Sequence, residues 1–185
     1  EAYELIESMR QAEKTDTERK ADQQRRILEE SEISGEGKSI AYYGMLASDR
    51  ERELMTSLDD DFTDMGEVTN VLLAIKDAGN LKGAAASNAK RDAILESGLS
   101  EGDKKEIYRY TFGERRENGT YTSSRDEDIR AFENAGLSFD EFLEAQNEYS
   151  TINEQYDRAG DKALEFSRWV DGQPYTDKQK DVIKE

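Results

Sequence analysis

Three short stretches of the sequence have residue types and spacings that could do chemistry. The first, residues 34–39 (SGEGKS), is similar to the end of a phosphate-binding P-loop, in which backbone amides and a lysine hold the phosphates of a nucleotide. Its context does not fit, because Glu32 stands where the first glycine is required and no apolar strand precedes the stretch. We therefore predict a helix start made of small residues here, and neither a nucleotide nor any other cofactor.

The second stretch, residues 87–90 (SNAK), matches the S-x-x-K pattern in which penicillin-recognising enzymes carry a nucleophilic serine. The companion S-D-N and K-T-G elements of those enzymes are missing from the chain. On a helix, Ser87 and Lys90 would simply face neighbouring directions near the surface. The sequence therefore predicts no catalytic residues at this position.

The third stretch is a dense group of carboxylates that suggests calcium: Asp59, Asp60, Asp61 and Asp64. Counting from Asp61 puts Gly66 at position six of an EF-hand loop. However, Met65 falls at position five and Leu72 at position twelve, where oxygen ligands are needed. Two readings remain: a weak surface cation site, or carboxylates that favour the N-terminus of the following helix.

Composition excludes most of the remaining chemistry. The chain contains no histidine and no cysteine, and so lacks the commonest general base and the usual ligands of a transition metal. Its 43 acidic and 26 basic residues give a formal charge of −17, which opposes binding to nucleic acid or to an anionic membrane. The longest apolar run, residues 71–75, is far shorter than the roughly 20 residues of a membrane helix. We predict no metal site, no direct nucleic-acid binding and no membrane partner.

The elements that must position any site are predicted to be helices, because the chain of 185 residues contains a single proline, Pro174. Residues 91–110 read as a helix, a stop and a second helix. We predict that Gly98 takes the left-handed conformation directly after the first of these helices. Ser100, with Asp103 three residues later, should begin the second.

This helix–stop–helix pattern recurs in the chain. A first copy lies at a constant offset of 66 residues, and its matched pairs are Ile33 and Leu99, Ser34 and Ser100, Lys38 and Lys104, and Tyr42 and Tyr108. Glu32 replaces Gly98 in that copy, so we expect a looser or strained turn there. In a further copy, Gly136 should also adopt a positive φ, and Ser138 with Glu141 forms a capping box.

Such self-similarity is typical of stacked helical units that share a core. We predict an all-α fold, either an irregular helical bundle or a short helical repeat built from duplicated helix–turn–helix units. The duplicated units would span about residues 27–93 and 94–172. By domain, residues 1–31 would form an N-terminal helical arm and residues 32–185 a helical core. Near residues 111–124, the Asn118-Gly119 turn signal lies between Thr111 and Phe112 on one side and Thr120 and Tyr121 on the other. This arrangement favours either a small β-hairpin with those residues in its strands or an ordered loop.

The aromatic residues could form a stacking surface for bases, but basic residues are not interleaved with them. Helical spacing instead predicts that they lie in the core. Two stripes follow from that spacing: Phe166, Trp169 and Val170, and Phe139, Phe142 and Leu143.

Three phrases of the chain resemble helical segments of very large proteins carried by prophages and mobile elements of gut Firmicutes: LKGAAASNAKRDAI, TSSRDEDIRAFENAGLSFDEFLEAQNEY and KALEFSRWVDGQPYTDKQKDVI. The resemblance implies a module of a larger polypeptide, in the bacterial cytoplasm or associated with a virion. The first residue, Glu1, is not methionine, and we likewise expect a piece of a longer chain.

These observations favour a non-catalytic module for protein–protein interaction or scaffolding, whose protein partner contacts an apolar patch near Trp169. The alternative is an acidic mimic of nucleic acid that inhibits a nuclease, as some anti-restriction and anti-CRISPR proteins do. A third reading, an acid/base enzyme built from Asp and Glu, requires a pair of carboxylates with shifted pKa values.

Overall fold

The structure is a computed structural model that describes residues 3, 5, 6, 9, 17–58, 62–116 and 121–185. Tyr3, Leu5, Ile6 and Met9 are helical. The remaining described residues form these elements in chain order: α1 (Thr17–Glu30), α2 (Gly35–Met45), α3 (Asp49–Leu58), α4 (Met65–Ala78), α5 (Gly83–Leu95), α6 (Glu101–Phe112), β1 (Glu114–Arg115), β2 (Tyr121–Thr122), α7 (Asp126–Asn134), α8 (Phe139–Gln155), α9 (Ala159–Gly172) and α10 (Asp177–Lys184). The predicted all-α class is confirmed. Each helix within these ranges is too short or too polar to cross a bilayer.

Short polar side chains begin most of these helices, because they satisfy amide groups that the first turn leaves without a partner. The predicted capping box of Ser138 and Glu141 is present at the start of α8. Ser48 and Glu51 form another box before α3, in which Ser48 N donates to Glu51 Oε2 at 2.7 Å and Glu51 N donates to Ser48 Oγ at 3.3 Å. Sequence reasoning missed α3, although S-x-x-E is its usual start signal.

The chain forms two compact units, each with its own core. Unit 1 comprises Glu1–Leu73 and Ser97–Asp103, and unit 2 comprises Ala74–Glu96 and Lys104–Glu185. The predicted arm of residues 1–31 and the predicted duplicated units stay predictions.

The core of unit 1 contains a buried carboxylate, and both of its oxygens accept hydrogen bonds. Glu51 is 3% exposed, and its Oε1 accepts a hydrogen bond of 2.8 Å from the hydroxyl of Tyr42. Its Oε2 accepts from the amide and the hydroxyl of Ser48, both at 2.7 Å. A buried acid with such partners fixes the angle between α2 and α3, because losing any one of them would leave a polar group unsatisfied.

The core of unit 2 is aromatic. The ring of Tyr108 lies edge-on to Phe139 and Phe142, with centroids 5.6 and 5.7 Å away, and Phe142 lies edge-on to Phe132 at 5.3 Å. Phe139, Phe142 and Leu143 are 1%, 0% and 0% exposed, which confirms that predicted stripe. Edge-to-face pairs of this kind add to the stabilisation that burial alone gives.

The two predicted left-handed glycines have different outcomes. Gly136 has φ of 78° directly after α7, as predicted. Its amide donates to Glu133 O, and the amide of Leu137 donates to Phe132 O, both at 2.9 Å, which is the Schellman pattern.

The prediction for Gly98 is wrong. Helix α5 ends at Leu95 and its C-cap is Glu96, so Gly98 lies one residue beyond the position at which a left-handed glycine ends a helix. The φ of Gly98 is not positive. Its amide donates instead to Glu67 Oε1 at 3.2 Å, within unit 1. Of the looser or strained turn expected at Glu32, the strained alternative is wrong, since no described residue other than glycine has a positive φ. Glutamate can replace glycine between these copies because neither position needs the left-handed conformation.

Of the two alternatives for residues 111–124, a small β-hairpin and an ordered loop, the structure shows the hairpin. Strands β1 and β2 pair antiparallel, with Glu114 opposite Thr122 and Arg115 opposite Tyr121. The Asn118-Gly119 turn itself lies outside the described residues. Thr111 and Phe112, which we expected in the first strand, belong to α6, because the helical bonding continues until the amide of Gly113 donates to Arg109 O at 2.8 Å.

Candidate functional site

Unit 2 carries a groove of about 550 Å³ between α7, α8, α9 and α10, here called the unit 2 groove. Its apolar lining consists of Ala131, Phe132, Ala145, Tyr149, Ala163, Phe166, Val182 and Ile183. Helical spacing explains the lining of α8, where Ala145 and Tyr149 are four residues apart and share one face. The groove is of the size that proteins use to hold ligands or partner side chains.

A series of aromatic ring contacts connects the groove to Trp169. Tyr149 is 41% exposed and lies edge-on to Phe166, with ring centroids 5.3 Å apart. Phe166 stacks on Trp169 at 5.8 Å. In the predicted stripe of α9, Val170 is 0% exposed, whereas Phe166 and Trp169 are only half-buried. The stripe therefore supplies both core and surface, because α9 lies at the edge of unit 2.

Both signs of charge lie at the groove and are paired with each other. Arg125 donates to Asp128 at 2.9 Å, and both residues line the groove. Lys184, another lining residue, pairs with Asp171 at 2.6 Å. The hydrogen bond from Lys184 is the main reason that the pKa of Asp171 is lowered. The polar rim is therefore close to electrically balanced, unlike the chain as a whole.

Unit 1 carries a second concave site of about 620 Å³, here called the unit 1 cleft. It lies where the N-termini of α2 and α4 meet beside α3. Its apolar and acidic lining residues are Glu36, Ile40, Tyr43, Met55, Asp64 and Met65. It contrasts with the unit 2 groove in having carboxylates without cations among its charged lining residues.

At four helix junctions within the described ranges, a basic side chain reaches back to the end of the preceding helix. In each case a lysine or arginine four residues after the N-cap donates to the carbonyl five residues before that cap. The four donor and acceptor pairs are Lys38 with Glu29 O at 3.5 Å, Arg52 with Tyr43 O at 2.9 Å, Lys104 with Leu95 O at 2.9 Å, and Lys180 with Asp171 O at 2.9 Å. We call these side chains the junction cations.

The junction cations have a simple electrostatic role. The last turn of a helix has carbonyl groups without intrahelical partners and carries partial negative charge, so a cation there is favourable. Each one also links two consecutive helices and fixes the turn between them. Sequence reasoning missed this pattern, although the signal is visible as Ser or Thr followed four residues later by Lys or Arg.

The P-loop-like stretch contributes one of these junctions. Ser34 caps α2, with its Oγ accepting from the amide of Gly37 at 3.2 Å, as predicted for a helix start. Lys38, the residue that would bind phosphate in a P-loop, is instead directed to the last turn of α1. Glu36 and Ser39 line the unit 1 cleft.

The other two candidate stretches form no chemical constellation among the described residues. Ser87 and Lys90 lie on α5, and no hydrogen bond joins them. Asp59, Asp60 and Asp61 lie outside the described residues. Asp64 caps α4, with its Oδ1 accepting from the amides of Gly66 and Glu67 at 2.9 and 3.1 Å, which supports the N-terminus reading for this carboxylate.

A buried arginine is the least expected polar group of unit 2. Arg91 is 9% exposed, and its Nη1 donates to Asn88, Asn147 and Ser150 at 3.2 to 3.4 Å. Its guanidinium lies 5.1 Å from the ring centroid of Phe112. Burial lowers the pKa of Arg91, yet the group stays charged at any physiological pH. These partners are neutral, so the arginine orders the contact between α5 and α8 rather than serving as half of an ion pair.

The carboxylates with shifted pKa values do not favour acid/base catalysis. The pKa of Asp126 is lowered: burial acts to raise it, but hydrogen bonds from Arg109, Ser123 and Thr122 outweigh that effect. The pKa of Asp171 is also lowered, chiefly by the hydrogen bond from Lys184. A general acid acting near neutral pH needs a raised pKa instead. Among the described residues, no group of three or more Asp and Glu side chains could hold a metal ion.

Comparison of the chain with protein families, with curated proteins and with solved structures gives no match in any of the three.

Proposed function

We propose that the protein is a non-catalytic module for protein–protein interaction or scaffolding, and that the unit 2 groove with the neighbouring Trp169 is its binding surface. The observation that carries this proposal is the exposure of Tyr149, which is 41% exposed, beside the half-buried Phe166 in the same groove. Half-exposed aromatic side chains next to a pocket are the usual anchors of protein interfaces.

The charge of the groove supports a partner held mainly by apolar contacts. Arg125, Asp128 and Lys184 are all engaged in ion pairs at its rim. Such a rim neither attracts nor repels a charged partner strongly, so binding should depend little on salt.

The alternative of an acidic nucleic-acid mimic draws its support from the formal charge of −17. Within unit 2, however, basic residues lie among the acids. Lys104 pairs with Asp140 at 2.9 Å, Arg109 pairs with Asp126 at 2.9 Å, and Lys105 pairs with Glu133. A mimic would instead need rows of unpaired carboxylates, so these pairs favour the scaffold proposal.

Following the resemblance to mobile-element proteins, we place this module in a larger phage or mobile-element polypeptide. It would act in the cytoplasm of a bacterial host or in a virion. Its partner would be a protein, with no direct contact to nucleic acid or membrane.

Blocking the groove tests the proposal. Ala163 is exposed on α9 and lines the groove, so Ala163→Arg would fill the space without disturbing the core. Ala85→Arg is the matched control, because Ala85 is exposed on a helix of the same unit and does not line the groove. Proteins captured from the host by the wild type and the two variants would be quantified by mass spectrometry at salt concentrations between about 50 and 200 mM.

We expect one partner that survives the higher salt, is retained by Ala85→Arg and is lost with Ala163→Arg. Equal capture by both variants would exclude the groove as the binding surface. Capture of a basic nuclease that is released as salt rises would favour the mimic instead, because charge-directed contacts weaken steeply over this range. A gel shift of duplex DNA would contradict both readings.

A further inference from the structure

The unit 1 cleft has the features of a ligand site that the proposed function does not use. Its volume of about 620 Å³ falls within the range of about 300 to 1,000 Å³ that small-molecule sites occupy. It lies wholly within unit 1, so its walls come from one compact body.

The walls of the cleft are apolar and open to solvent. Ile40 and Tyr43 are 52% and 42% exposed. Only 35% of the residues of this chain are hydrophobic, so leaving two large ones exposed at one site is notable. Met65, which also lines the cleft, is half-buried, and its thioether side chain adapts to ligands of different shape. The cleft can therefore take an apolar body of moderate size.

A close contact between two helix starts places two carboxylates on the same cleft. A Cβ atom added to Gly66 would lie 2.5 Å from the Cα of Gly35, so only glycine allows this approach. Glu36 and Asp64 lie next to these glycines in the sequence, and both line the cleft. They are its charged lining residues, and both are exposed.

The carboxylates are available to a ligand. Glu36 forms no ion pair with any described residue, and Asp64 uses only its Oδ1, on the amides of Gly66 and Glu67. Arg52 is not a lining residue: its guanidinium lies 5.8 Å from the ring centroid of Tyr43, its Nε donates to Tyr43 O at 2.9 Å and its Nη1 pairs with Asp49 at 3.5 Å. Lys38 is directed away, to the end of α1.

An anion would not suit this cleft, even though two helix N-termini meet there. Helix N-termini attract anions through free amide groups and partial positive charge. Here the side chain of Asp64 already accepts from two amides of α4, and Ser34 accepts from the amide of Gly37 in α2. A phosphate would meet two negative charges and find these amides already occupied.

We propose that the unit 1 cleft binds an organic cation, an ammonium or guanidinium group carried on an apolar body, with Glu36 and Asp64 facing the charge and Ile40 and Tyr43 contacting the body. The cation is either a free amine or the side chain of a lysine or arginine in a peptide. This proposal is independent of the proposed function, since the unit 2 groove takes no part in it.

The charge requirement is tested with three probes of the same shape: 4-phenylbutylamine, 4-phenylbutan-1-ol and 4-phenylbutanoate, titrated by calorimetry and by NMR chemical shifts. We expect the amine to bind at least about fivefold more tightly than the alcohol, and the carboxylate to bind most weakly. A short peptide containing Leu-Arg, compared with the same peptide containing citrulline, tests the peptide source. Binding of that peptide without binding of the amine would assign the cation to a protein side chain.

Three variants locate the site. Glu36→Gln and Asp64→Asn should each weaken binding of the cationic probe about two- to fivefold and leave the alcohol unchanged. Asparagine keeps the cap that Asp64 provides, since it is an equally good N-cap residue. Glu32→Gln is the matched control, because Glu32 is an exposed glutamate of unit 1 outside the cleft.

Ile40→Ala should weaken binding of the amine and of the alcohol by the same factor, because it removes apolar contact and leaves the charges in place. Circular dichroism would check that each variant is folded. Three outcomes would overturn the proposal: measurable binding of the amine and the alcohol with equal affinity, equal effects of Glu36→Gln and Glu32→Gln, or no binding of any cationic probe, the peptide included, at low millimolar concentration.

Discussion

The junction between α1 and α2 and the junction between α5 and α6 use the same sequence device at different depths. In both, a serine begins the second helix, and a lysine four residues later donates to the last turn of the first helix. Lys38 is half-exposed, and its Nζ lies 3.5 Å from Glu29 O. Lys104 is 6% exposed, bonds to Leu95 O at 2.9 Å and forms an ion pair with Asp140.

The difference shows that two copies of the same sequence motif can contribute differently to the free energy of unfolding. The motif fixes which groups meet, whereas burial and the availability of water decide what their meeting is worth. The bonds of a buried lysine are shielded from water, whereas those of a more exposed lysine compete with it. The second junction should therefore be the one on which stability depends.

The largest effect is expected when Lys104 is replaced by methionine. The variant keeps the apolar stem but removes the donor to Leu95 O and the partner of Asp140. We expect the free energy of unfolding to fall by about 2 kcal/mol, since hydrogen bonds that involve a charged group contribute about 1.5 to 3 kcal/mol. Urea titration followed by circular dichroism would measure it.

Lys38→Met is the matched control, because it removes the same charge at the equivalent position of the first junction. Its cost should be about 0.5 kcal/mol or less, as for other exposed ion contacts. Equal losses in the two variants would contradict the role we give to burial.

A smaller effect, dependent on pH, should follow from Asp126→Asn. Arg109 of α6 donates from its Nε to Asp126 Oδ1 at 2.9 Å. Ser123 N and Thr122 Oγ1 donate to the other oxygen at 3.0 and 2.9 Å. Asparagine cannot accept all three with the same strength, so we expect a loss of about 1 to 2 kcal/mol at pH 7.

The sign of the pH dependence follows from the lowered pKa of Asp126 in the folded protein. Its stabilising contribution is complete above the unfolded pKa of about 4 and is lost as pH falls through the folded value. The difference in unfolding free energy between wild type and variant should therefore shrink as pH falls from about 5 to 2. A difference independent of pH would show that the charge of Asp126 is not what stabilises α7.

The sequence predicted the helices where local signals were complete. The capping box of Ser138 and the Schellman glycine, Gly136, were both found, because their bonding partners lie within five residues along the chain. The hairpin was found from its turn signal, but its first strand was placed too early, since the end of α6 depends on bonds that composition does not reveal.

The two concave sites could be predicted only in part. Helical spacing predicted Trp169 in a core stripe, and the scaffold hypothesis predicted an apolar patch near it, but the role of Tyr149 depends on how α7 to α10 pack. The unit 1 cleft was not foreseen, because its defining contact joins Gly35 to Gly66 across 31 positions of sequence. Gly83 also escaped notice. Its φ is 61°, and an added Cβ would lie 2.2 Å from Glu154 Oε1, a contact that only the fold creates.

A third prediction concerns the two glycines that precede Leu-Ser in the chain. Gly136→Ala should destabilise the protein by about 1 kcal/mol, because alanine must adopt the left-handed conformation there. No atom lies within 4 Å of the added Cβ, so the cost comes from backbone conformation alone. Thermal and urea unfolding would both report it.

The smallest effect, with the opposite sign, is expected for Gly98→Ala. Gly98 has no positive φ, and no atom lies within 4 Å of an added Cβ. Alanine would therefore cost nothing in the folded chain and would reduce the conformational freedom of the unfolded one, which stabilises by about 0.4 to 1 kcal/mol. Measured beside Gly136→Ala under the same urea conditions, the two variants should shift the unfolding midpoint in opposite directions. A destabilised Gly98→Ala would mean that the second junction needs glycine after all, and that Glu32 and Gly98 are not equivalent positions.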